Sequence, residues 1–364
     1  MSAFRCVSCL GAYPEGEIPH CCPTCGNSFT WFSLPDRPQL ELENCQPGIW
    51  RYRKALALPD TAEMITLGEG QTPLLWITWR GEPLGLKMES YNPTGSYKDR
   101  GTAALVSFLK SRGVNEAVED SSGNAGASFA AYAARAGIKA RVFVPESASG
   151  PKRTQIELFG ADLVTVPGPR SAAAQAVMAE VKRGAVYASH AYLPFGLPGI
   201  ATIAYELWEQ AGTVPGTVIA PVGHGGLLLG IVRGFQALIK AGFTATLPDF
   251  WGVQAENCSP VVAAFRSGSE RVRAAEEGAT LAEGIRVVHP VRGQELLREI
   301  SGHGGFVAVD DARIAAAHRF LCQQGIYVEP TSAVTYAALE KLGPLKKPVI
   351  LILTGTGLKY RANH

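Results

Sequence analysis

One lysine lies where a side-chain amine could carry out covalent chemistry. Lys98 belongs to the segment 92–101, NPTGSYKDRG, in which the Asn-Pro and Thr-Gly pairs favour a turn directly before a predicted helix. In the first turn of a helix, Lys98 faces the positive end of the helix dipole, which favours the neutral amine over the ammonium ion. A neutral amine can form an imine with a carbonyl compound. The alternative is an ordinary surface lysine in a turn.

A second segment, 121–128, has the sequence SSGNAGAS and opens a predicted Ala-rich helix. Its small residues allow a flat ring to approach the backbone. The hydroxyls of Ser121 and Ser122, together with N–H groups at the helix start, could hold a carboxylate. The Asn124 amide could donate a hydrogen bond to a phenolic oxygen. The segment is also compatible with an ordinary capped helix start.

Two further segments are rich in glycine, and each follows a predicted buried strand. The loop after the strand 217–222 has the sequence GHGGL, whose glycines allow successive N–H groups to converge on an anion such as phosphate. Its residues are Gly223, His224, Gly225, Gly226 and Leu227. Thr354 begins the segment TGTGLK after the strand 349–353, where its hydroxyl could lie beside a ring nitrogen without protonating it. A tight turn and a Gly-rich strand exit are the alternative interpretations.

The eight cysteines are unevenly distributed, because five of them lie within the first 25 residues. Two pairs have the spacing Cys-x2-Cys, which suits thiolate ligands of a metal ion such as zinc. The predicted ligands are Cys6, Cys9, Cys22 and Cys25, with Cys21 as a competitor for the third position. Four protein ligands would make the ion structural rather than catalytic. Iron in a rubredoxin-like site, free thiols and a redox pair are the alternatives.

For these segments to form one site, the predicted strands and helices must place the loops that carry them at the same crevice. Continuous apolar runs predict buried parallel strands at 217–222 and 349–353, and further strands are predicted at 140–145 and 161–166. The stretches between strands predict helices at 102–111, 126–136, 152–159, 171–183, 199–211 and 227–241. This alternation predicts an α/β fold with mainly parallel sheets, in which ligands bind at the carboxyl ends of strands. A Pro-containing connector at 34–47 follows the Cys-rich module at 1–35.

The four segments occur in the order found in the β-family, or fold type II, of pyridoxal-phosphate (PLP) enzymes. The chain most closely resembles threonine synthases, over nearly its whole length. The resemblance implies that Lys98 forms the Schiff base with PLP, that Asn124 contacts the cofactor's O3′ and that Thr354 contacts its pyridine nitrogen. It assigns the cofactor phosphate to the loop 223–227. The segment 329–333, EPTSA, also resembles a helix start of this family.

The resemblance further implies two doubly wound α/β domains, similar to the β subunit of tryptophan synthase, with PLP between them. The large domain is expected at 36–89 plus 206–364. The small domain is expected at 90–205, and a zinc ribbon at 1–35 precedes both. A homodimer is expected from the family alone.

The chain departs from threonine synthases at positions expected to hold the phosphate of O-phosphohomoserine. Ala125 replaces a threonine, His190 occupies an asparagine position and Gly196 occupies an arginine position. Because an arginine–phosphate contact is charge-assisted and often bidentate, its loss predicts a different substrate side chain. His190 is predicted to be an acid–base group or a substrate ligand, with a structural histidine as the alternative. A less polar pocket is predicted from its neighbours Tyr192, Leu193 and Phe195.

The sequence therefore predicts a PLP-dependent lyase or synthase that carries out β- or γ-elimination or replacement on an activated amino acid, with Lys98 as the base at Cα. The alternatives are threonine synthase itself, a serine/threonine dehydratase or β-replacement synthase, and a degenerate regulatory protein. The net charge of +2 gives no field that would select nucleic acid or membrane. No apolar run approaches the ~20 residues of a membrane span, so we expect a cytoplasmic enzyme.

Overall fold

A computed structural model of the chain describes residues 3–34, 46–146, 150–168 and 170–360. Most of the predicted connector at 34–47 falls outside these residues. Within the described part, no helix is both long and apolar enough to cross a membrane.

The strands form one small antiparallel pair and two larger sheets. In chain order they are β1 (Phe4–Cys6), β2 (Phe29–Trp31), β3 (Leu74–Trp79), β4 (Glu82–Met88), β5 (Glu116–Glu119), β6 (Lys139–Pro145), β7 (Asp162–Val166), β8 (Val186–Tyr187), β9 (Thr217–Pro221), β10 (Asp249–Ala255), β11 (Gly304–Val309) and β12 (Val349–Leu353). The antiparallel pair is β1 with β2, and it frames the Cys-rich residues.

The larger sheet has the strand order β11-β10-β9-β12-β4-β3, and only the edge strand β3 runs antiparallel to its neighbour. The smaller sheet has the order β7-β6-β5-β8 and is parallel throughout. Every residue of β9 and of β12 is buried, as expected for adjacent central strands of a parallel sheet.

Helices connect the strands of both sheets. They are α1 (Lys98–Ser111), α2 (Asn124–Ala136), α3 (Pro151–Leu158), α4 (Arg170–Lys182), α5 (Leu197–Ala211), α6 (Gly226–Lys240), α7 (Pro260–Arg266), α8 (Gly293–Glu299), α9 (Asp311–Gln323) and α10 (Pro330–Ala338). Short 3-10 helices cover Gly48–Ala55, Glu89–Tyr91, Pro194–Gly196, Glu283–Ile285 and Gly357–Lys359.

The predicted α/β fold with mainly parallel sheets is confirmed. The strands predicted from apolar runs correspond to β6, β7, β9 and β12, and the six predicted helices correspond to α1–α6. The largest shift is in α1, which begins at Lys98 rather than at 102. The helix begins earlier because the Asp99 carboxylate accepts hydrogen bonds from the main-chain N–H and the hydroxyl of Thr94, and so fastens the turn before it.

The strand orders place a crevice in each sheet. In the larger sheet the chain leaves β9 toward β10 and β11 on one side, and β12 then lies on the other side. In the smaller sheet it leaves β5 toward β6 and β7, and β8 then lies on the opposite side. Such switch points separate the loops at the carboxyl ends of two adjacent strands and leave room for a ligand. The residues after β5, β8, β9 and β12 are therefore placed to form a ligand site.

Candidate active site

The loops at both switch points line one cavity of about 470 Å³. This volume lies within the usual range for small-molecule sites. The residues assigned individually to cofactor or substrate lie on its wall, namely Lys98, Ser121, Ser122, Asn124, Ala125, His190, the loop 223–227 and Thr354. The fold therefore brings together four segments that are far apart in the sequence.

Lys98 is the first residue of α1, and its side chain reaches the cavity. Its Nζ lies 4.8 Å from the centroid of the Tyr97 ring. The main-chain N–H of Tyr97 donates to the carbonyl of Thr354 at 3.0 Å, which ties the start of α1 to the end of β12. This bond fixes where the lysine enters the cavity relative to the Thr354 hydroxyl.

Asp99, directly after the lysine, holds the start of α1 against α2. Its carboxylate accepts hydrogen bonds from the Thr94 N–H at 2.7 Å and from the hydroxyls of Thr94 and Ser128, both at 2.6 Å. Burial raises the pKa of Asp99 to about 6, although these hydrogen bonds favour the carboxylate. The network makes Asp99 a support for Lys98 rather than a wall residue of the cavity.

Asn124 is the first residue of α2 and lies in a chain of charged side chains. Its amide donates to both oxygens of the Glu329 carboxylate, at 3.0 and 3.1 Å, and its oxygen lies 3.4 Å from Lys359 Nζ. Glu329 also pairs with Lys152 at 3.2 Å. Burial lowers the pKa of Lys359 to about 8. Sequence reasoning missed both lysines, although Lys359 closes the segment quoted for Thr354.

The loop 223–227 leads into α6, which begins at Gly226. Gly225 has a φ of +96°, a left-handed conformation that side chains rarely adopt. The first N–H groups of a helix have no partner within that helix, so those of α6 are available to an anion at this end of the cavity. A Cβ added at Gly226 would meet no atom within 4 Å. The loop therefore presents open backbone to the cavity, as a phosphate cradle requires.

Thr354 follows β12 and is fixed by a neighbouring serine. Its hydroxyl lies 3.1 Å from that of Ser332, which accepts a hydrogen bond from the Gly355 N–H at 2.9 Å. A Cβ on Gly355 would lie too close to an oxygen of the Glu329 carboxylate, so a larger residue there would require that side chain to shift. Ser332 belongs to the quoted segment 329–333, but the sequence assigned it no role.

His190 lies at the other switch point, after β8. Its Nδ1 is 3.0 Å from Oε1 of Glu119, the last residue of β5. Its ring meets that of His224 edge to face, with centroids 5.7 Å apart. Sequence reasoning missed Glu119, although it stands just before the quoted segment 121–128.

The expectation that Tyr192, Leu193 and Phe195 make the pocket less polar was wrong. None of the three lines the cavity, whereas Gly196 does. Phe195 is fully buried on the opposite side of its segment, stacked on Phe108 with ring centroids 3.4 Å apart. Phe195 faces the Cys-rich module, where Phe4 and Tyr13 pack edge to face on its ring.

The predicted metal ligands Cys6, Cys9, Cys22 and Cys25 come together, with all four sulfurs within 4.8 Å of one another. The sulfurs of Cys6 and Cys25 are 3.4 Å apart, and those of Cys9 and Cys22 are 3.6 Å apart. In a tetrahedral site with zinc–sulfur bonds of about 2.3 Å, neighbouring sulfurs lie at distances similar to these two. Cys21 lies outside this group.

Hydrogen bonds from Asn27 prepare Cys25 to act as a thiolate. The main chain and then the side chain of Asn27 lower the pKa of Cys25 to about 6, and the Asn27 amide lies 3.6 Å from its sulfur. Such N–H···S contacts are a usual second layer around a metal bound by cysteines.

Arg292 joins the Cys-rich module to both sides of the cavity. Its guanidinium is buried and donates to the carbonyl of Phe29 at 3.0 Å and to those of Tyr192 and Leu193 at 3.2 and 3.3 Å. Its main-chain N–H donates to the carbonyl of His224 at 2.9 Å. One residue thus positions β2, the segment after His190 and the glycine loop.

The family of the chain is shown by comparison with known proteins. The family model described as pyridoxal-phosphate dependent enzyme matches residues 65–355. The chain belongs to this family. Among its relatives are the threonine synthase of Methanocaldococcus jannaschii, 35% identical over 98% of this chain and 92% of that protein, and that of Methanosarcina acetivorans, 32% identical over 99% and 92%. Both matches extend over the Cys-rich module.

Solved structures with the same fold cover about four-fifths of the chain. A threonine deaminase from T.th. superposes with a TM-score of 0.68 and 28% identity, covering 80% of this chain and 94% of that one. Maize serine racemase superposes with a TM-score of 0.70 over 79% and 88% of the two chains. At 21% identity, this second likeness supports the fold only.

The residues of the cavity fit PLP. The cavity wall offers a partner for each polar part of PLP. It carries a lysine amine for the aldehyde carbon, an amide for the phenolic oxygen, open backbone at a helix start for the phosphate and a hydroxyl for the ring nitrogen. Gly225 has a backbone conformation that favours glycine, and Gly355 packs closely against the Glu329 carboxylate. The chemistry of this donor set therefore agrees with the family.

Proposed function

We propose that the chain is a PLP-dependent lyase, similar to threonine synthase, that carries out β- or γ-elimination or replacement on an activated amino acid. The proposal rests on the convergence of Lys98, Asn124, the loop 223–227 and Thr354 on one cavity at two switch points. Family membership and the nearly full-length likeness to threonine synthases support it.

The proposal gives a role to the wall residues that were predicted to bind the cofactor and the substrate carboxylate. Lys98 would hold the cofactor through its amine, and Asn124, the loop 223–227 and Thr354 would hold its phenolic oxygen, phosphate and ring nitrogen. Bound PLP supplies an electron sink for the substrate. The amine of Lys98 takes the proton from the substrate Cα. The hydroxyls of Ser121 and Ser122, beside the start of α2, bind the substrate carboxylate.

A second candidate is threonine synthase itself, which would convert O-phosphohomoserine to threonine. The curated relatives at 32–35% identity favour it. The residues Ala125 and Gly196 provide neither the hydroxyl nor the arginine that the resemblance expects for the substrate phosphate.

Borohydride labelling should identify the amine that holds the cofactor. We expect protein purified with PLP to be yellow, and borohydride to discharge the colour while fixing a pyridoxyl group on Lys98. Lys359 is a matched control, since it is a second amine near Asn124 with a lowered pKa of about 8. Peptide mass spectrometry distinguishes the two lysines. A colourless protein that ignores PLP, or a label on Lys359, would contradict the assignment.

We also propose that the four-cysteine group holds a structural zinc ion. All four positions would be filled by protein, so no open site is left for catalysis. The ordered N–H···S contacts and the short sulfur separations support this proposal.

Metal analysis tests the zinc proposal directly. We expect about one zinc ion per chain, and near complete loss of the metal in Cys9→Ser, because three thiolates bind zinc far less tightly than four. Cys322→Ser is the control, since Cys322 lies outside the group. Wild-type protein free of zinc after purification in its presence, or full zinc content in Cys9→Ser, would count against the site.

The organisation around this site is proposed as well. The six-stranded and four-stranded sheets support a large domain at 36–89 plus 206–364 and a small domain at 90–205. A cytoplasmic homodimer acting on a small amino-acid substrate agrees with the family.

A further inference from the structure

The topology of the smaller sheet creates a carboxylate–histidine pair at its switch point. Strands β5 and β8 are parallel neighbours, with Val118 beside Tyr187. Glu119 ends β5, and His190 follows β8 shortly after its last residue, so the two side chains leave the same edge of the sheet. Although the two residues are 71 positions apart in sequence, His190 Nδ1 lies 3.0 Å from Glu119 Oε1.

Glu119 is held rigidly and leaves His190 to face the cavity. The Glu119 side chain is 1% exposed, and its second oxygen accepts a hydrogen bond from the Asp120 N–H at 2.7 Å. His190 is 22% exposed and lines the cavity. Because Nδ1 faces Glu119, the opposite ring nitrogen, Nε2, is the one placed to meet a substrate.

The pair has no net positive charge. Its charge is zero when His190 is protonated and negative when it is neutral. A second carboxylate lies close by, since the Tyr187 hydroxyl donates to Asp120 at 2.7 Å. Burial, with the carboxylates of Asp120 and Glu119, raises the pKa of Tyr187. This end of the cavity therefore does not compensate a phosphate dianion.

The lysine and arginine side chains of the described cavity wall are already paired with carboxylates, apart from the lysine assigned to PLP. Lys152 lies 3.2 Å from Glu329, and Arg286 lies 3.4 Å from Glu277. The carboxylate of Glu283 lies on the same wall. A substrate phosphate would need an unshared guanidinium or ammonium group to offset its desolvation.

Packing at position 196 is tight for the arginine that the resemblance expects there. A Cβ on Gly196 would lie 3.1 Å from the carbonyl oxygen of Gly101, and a Cβ on Gly101 would lie 3.3 Å from the carbonyl oxygen of Gly196. Helix α1 and the segment before α5 therefore approach each other through two glycines. A side chain at 196 would require these two segments to shift by a few tenths of an ångström.

From this geometry we infer that Glu119 and His190 bind the distal group of the amino-acid substrate and select an uncharged oxygen substituent over a phosphate ester. The inference rests on the proposed function and narrows its substrate class. The substrates that fit this description carry a hydroxyl or carboxylic ester oxygen on Cβ or Cγ. This oxygen accepts a hydrogen bond from His190 Nε2. Glu119 is a positioning residue, because it acts through the histidine ring.

The proton balance follows from this placement. When the carbon–oxygen bond breaks, its electron pair stays on the departing oxygen. The proton on His190 Nε2 moves to that oxygen, which leaves as water from a hydroxyl or as a carboxylic acid from an ester. The imidazole is then neutral until it takes a proton from water. For loss at Cβ, the Cα proton goes to the Lys98 amine, and its electron pair forms the double bond to Cβ.

Matched substrates test the inference on the PLP-loaded enzyme. The panel is L-serine, O-acetyl-L-serine and O-phospho-L-serine, with the corresponding homoserine compounds. Absorbance titration gives Kd for each compound, and product analysis gives kcat/KM. We expect kcat/KM for the best uncharged compound to exceed that for its phosphate ester at least ~10-fold. Comparison of the free hydroxyl compounds with the acetyl esters shows which of the two uncharged groups the enzyme prefers. Equal or better use of the phosphate esters, or tighter binding of them where nothing turns over, overturns the inference.

Variants assign the selection to the pair. His190→Asn should lower kcat/KM for the uncharged substrate at least ~10-fold and leave that for the phosphate ester nearly unchanged. His289→Asn, at an exposed histidine away from the cavity, is the matched control. Glu119→Gln should shift the preference toward the phosphate ester by removing a negative charge, and Glu119→Asp should restore the preference. Unchanged selectivity in His190→Asn and Glu119→Gln overturns the assignment.

The two proposals fail in different ways. Protein that stays colourless with PLP and shows no spectral change with any amino acid refutes the proposed function. Yellow protein that responds to amino acids but prefers phosphate esters refutes only the assignment of Glu119 and His190.

Discussion

Replacing Lys98 by alanine is expected to lower kcat about 10²–10⁴-fold through loss of the base at Cα alone. The loss should be larger in practice, because the same amine would hold the cofactor. Lys98 begins α1, and the bond between Tyr97 and Thr354 fixes its entry into the cavity. Steady-state turnover of the best compound in the substrate panel, with PLP in excess, measures the effect.

The matched control for Lys98 is Lys110→Ala. Lys110 lies in the last turn of the same helix and does not line the cavity. Its kcat should stay within about twofold of wild type, since surface substitutions rarely disturb a fold. A Lys98→Ala enzyme that kept more than about a tenth of the wild-type kcat would refute the role of the lysine as base.

Replacing Arg100 by methionine is expected to reduce the free energy of unfolding by about 3–5 kcal/mol, because buried carboxylates lose their cation. The guanidinium is fully buried. It donates to Glu89 at 2.7 and 2.8 Å and to Glu206 at 2.6 and 2.7 Å. Lys87, which also donates to Glu206 at 2.6 Å, would remain but cannot reach both carboxylates in the same geometry. Urea unfolding followed by circular dichroism measures the change.

Arg153→Met provides the comparison for Arg100. Arg153 forms an exposed pair with Glu157 one helical turn away, so its loss should cost no more than about 0.5 kcal/mol. Arg100→Lys keeps one charge without the planar fork and should fall between the two variants. Equal unfolding free energies for wild type and Arg100→Met would show that the cluster does not stabilise the fold.

The cost of Arg100→Met should depend on pH. Burial alone would raise the pKa of Glu206, but Arg100 and Lys87 hold it at about 2, below the ordinary 4.5. A carboxyl group whose pKa is depressed in the folded state stabilises the fold above its ordinary pKa, and this contribution is lost as pH falls toward the folded pKa. The difference between wild type and Arg100→Met should therefore be largest above pH 4.5 and shrink from there toward pH 2.

Local sequence patterns were sufficient to predict the buried central strands and the loops that follow them. The strands β9 and β12 are continuous apolar runs, and the glycine segments after them mark where strands end. The strand β4 was not predicted, because Lys87 interrupts its apolar pattern. Its buried ammonium group is paired with Glu206 and also donates to the Thr72 carbonyl and to Gln210. The strand β5 carries glutamates at both ends, and one of them, Glu119, is buried against His190.

The partners of the site residues depend on contacts that no local pattern contains. His190 could be singled out as a departure from the family, but its pairing with Glu119 needs the adjacency of β5 and β8. Tyr192, Leu193 and Phe195 were assigned to the pocket because they lie in the stretch that corresponds to the family's segment for the substrate phosphate. None of the three lines the cavity, and Phe195, in the turn Pro194–Gly196, packs edge to face on Phe4 of the Cys-rich module instead.

The hydrogen bonds of Arg292 join parts of the chain that are synthesised at different times. The ribosome makes Phe29 before Arg292, and 263 positions separate the two residues. The hydrogen bond from Arg292 to β2 can therefore form only after the translation of both large sheets except β11 and β12, although Phe4 of the module already has its partner Phe195 by then. The segment behind His190 shares the same guanidinium, so the wall of the pocket nearest the module also takes its final support late. An early part of the chain is thus completed by a residue that is synthesised long after it.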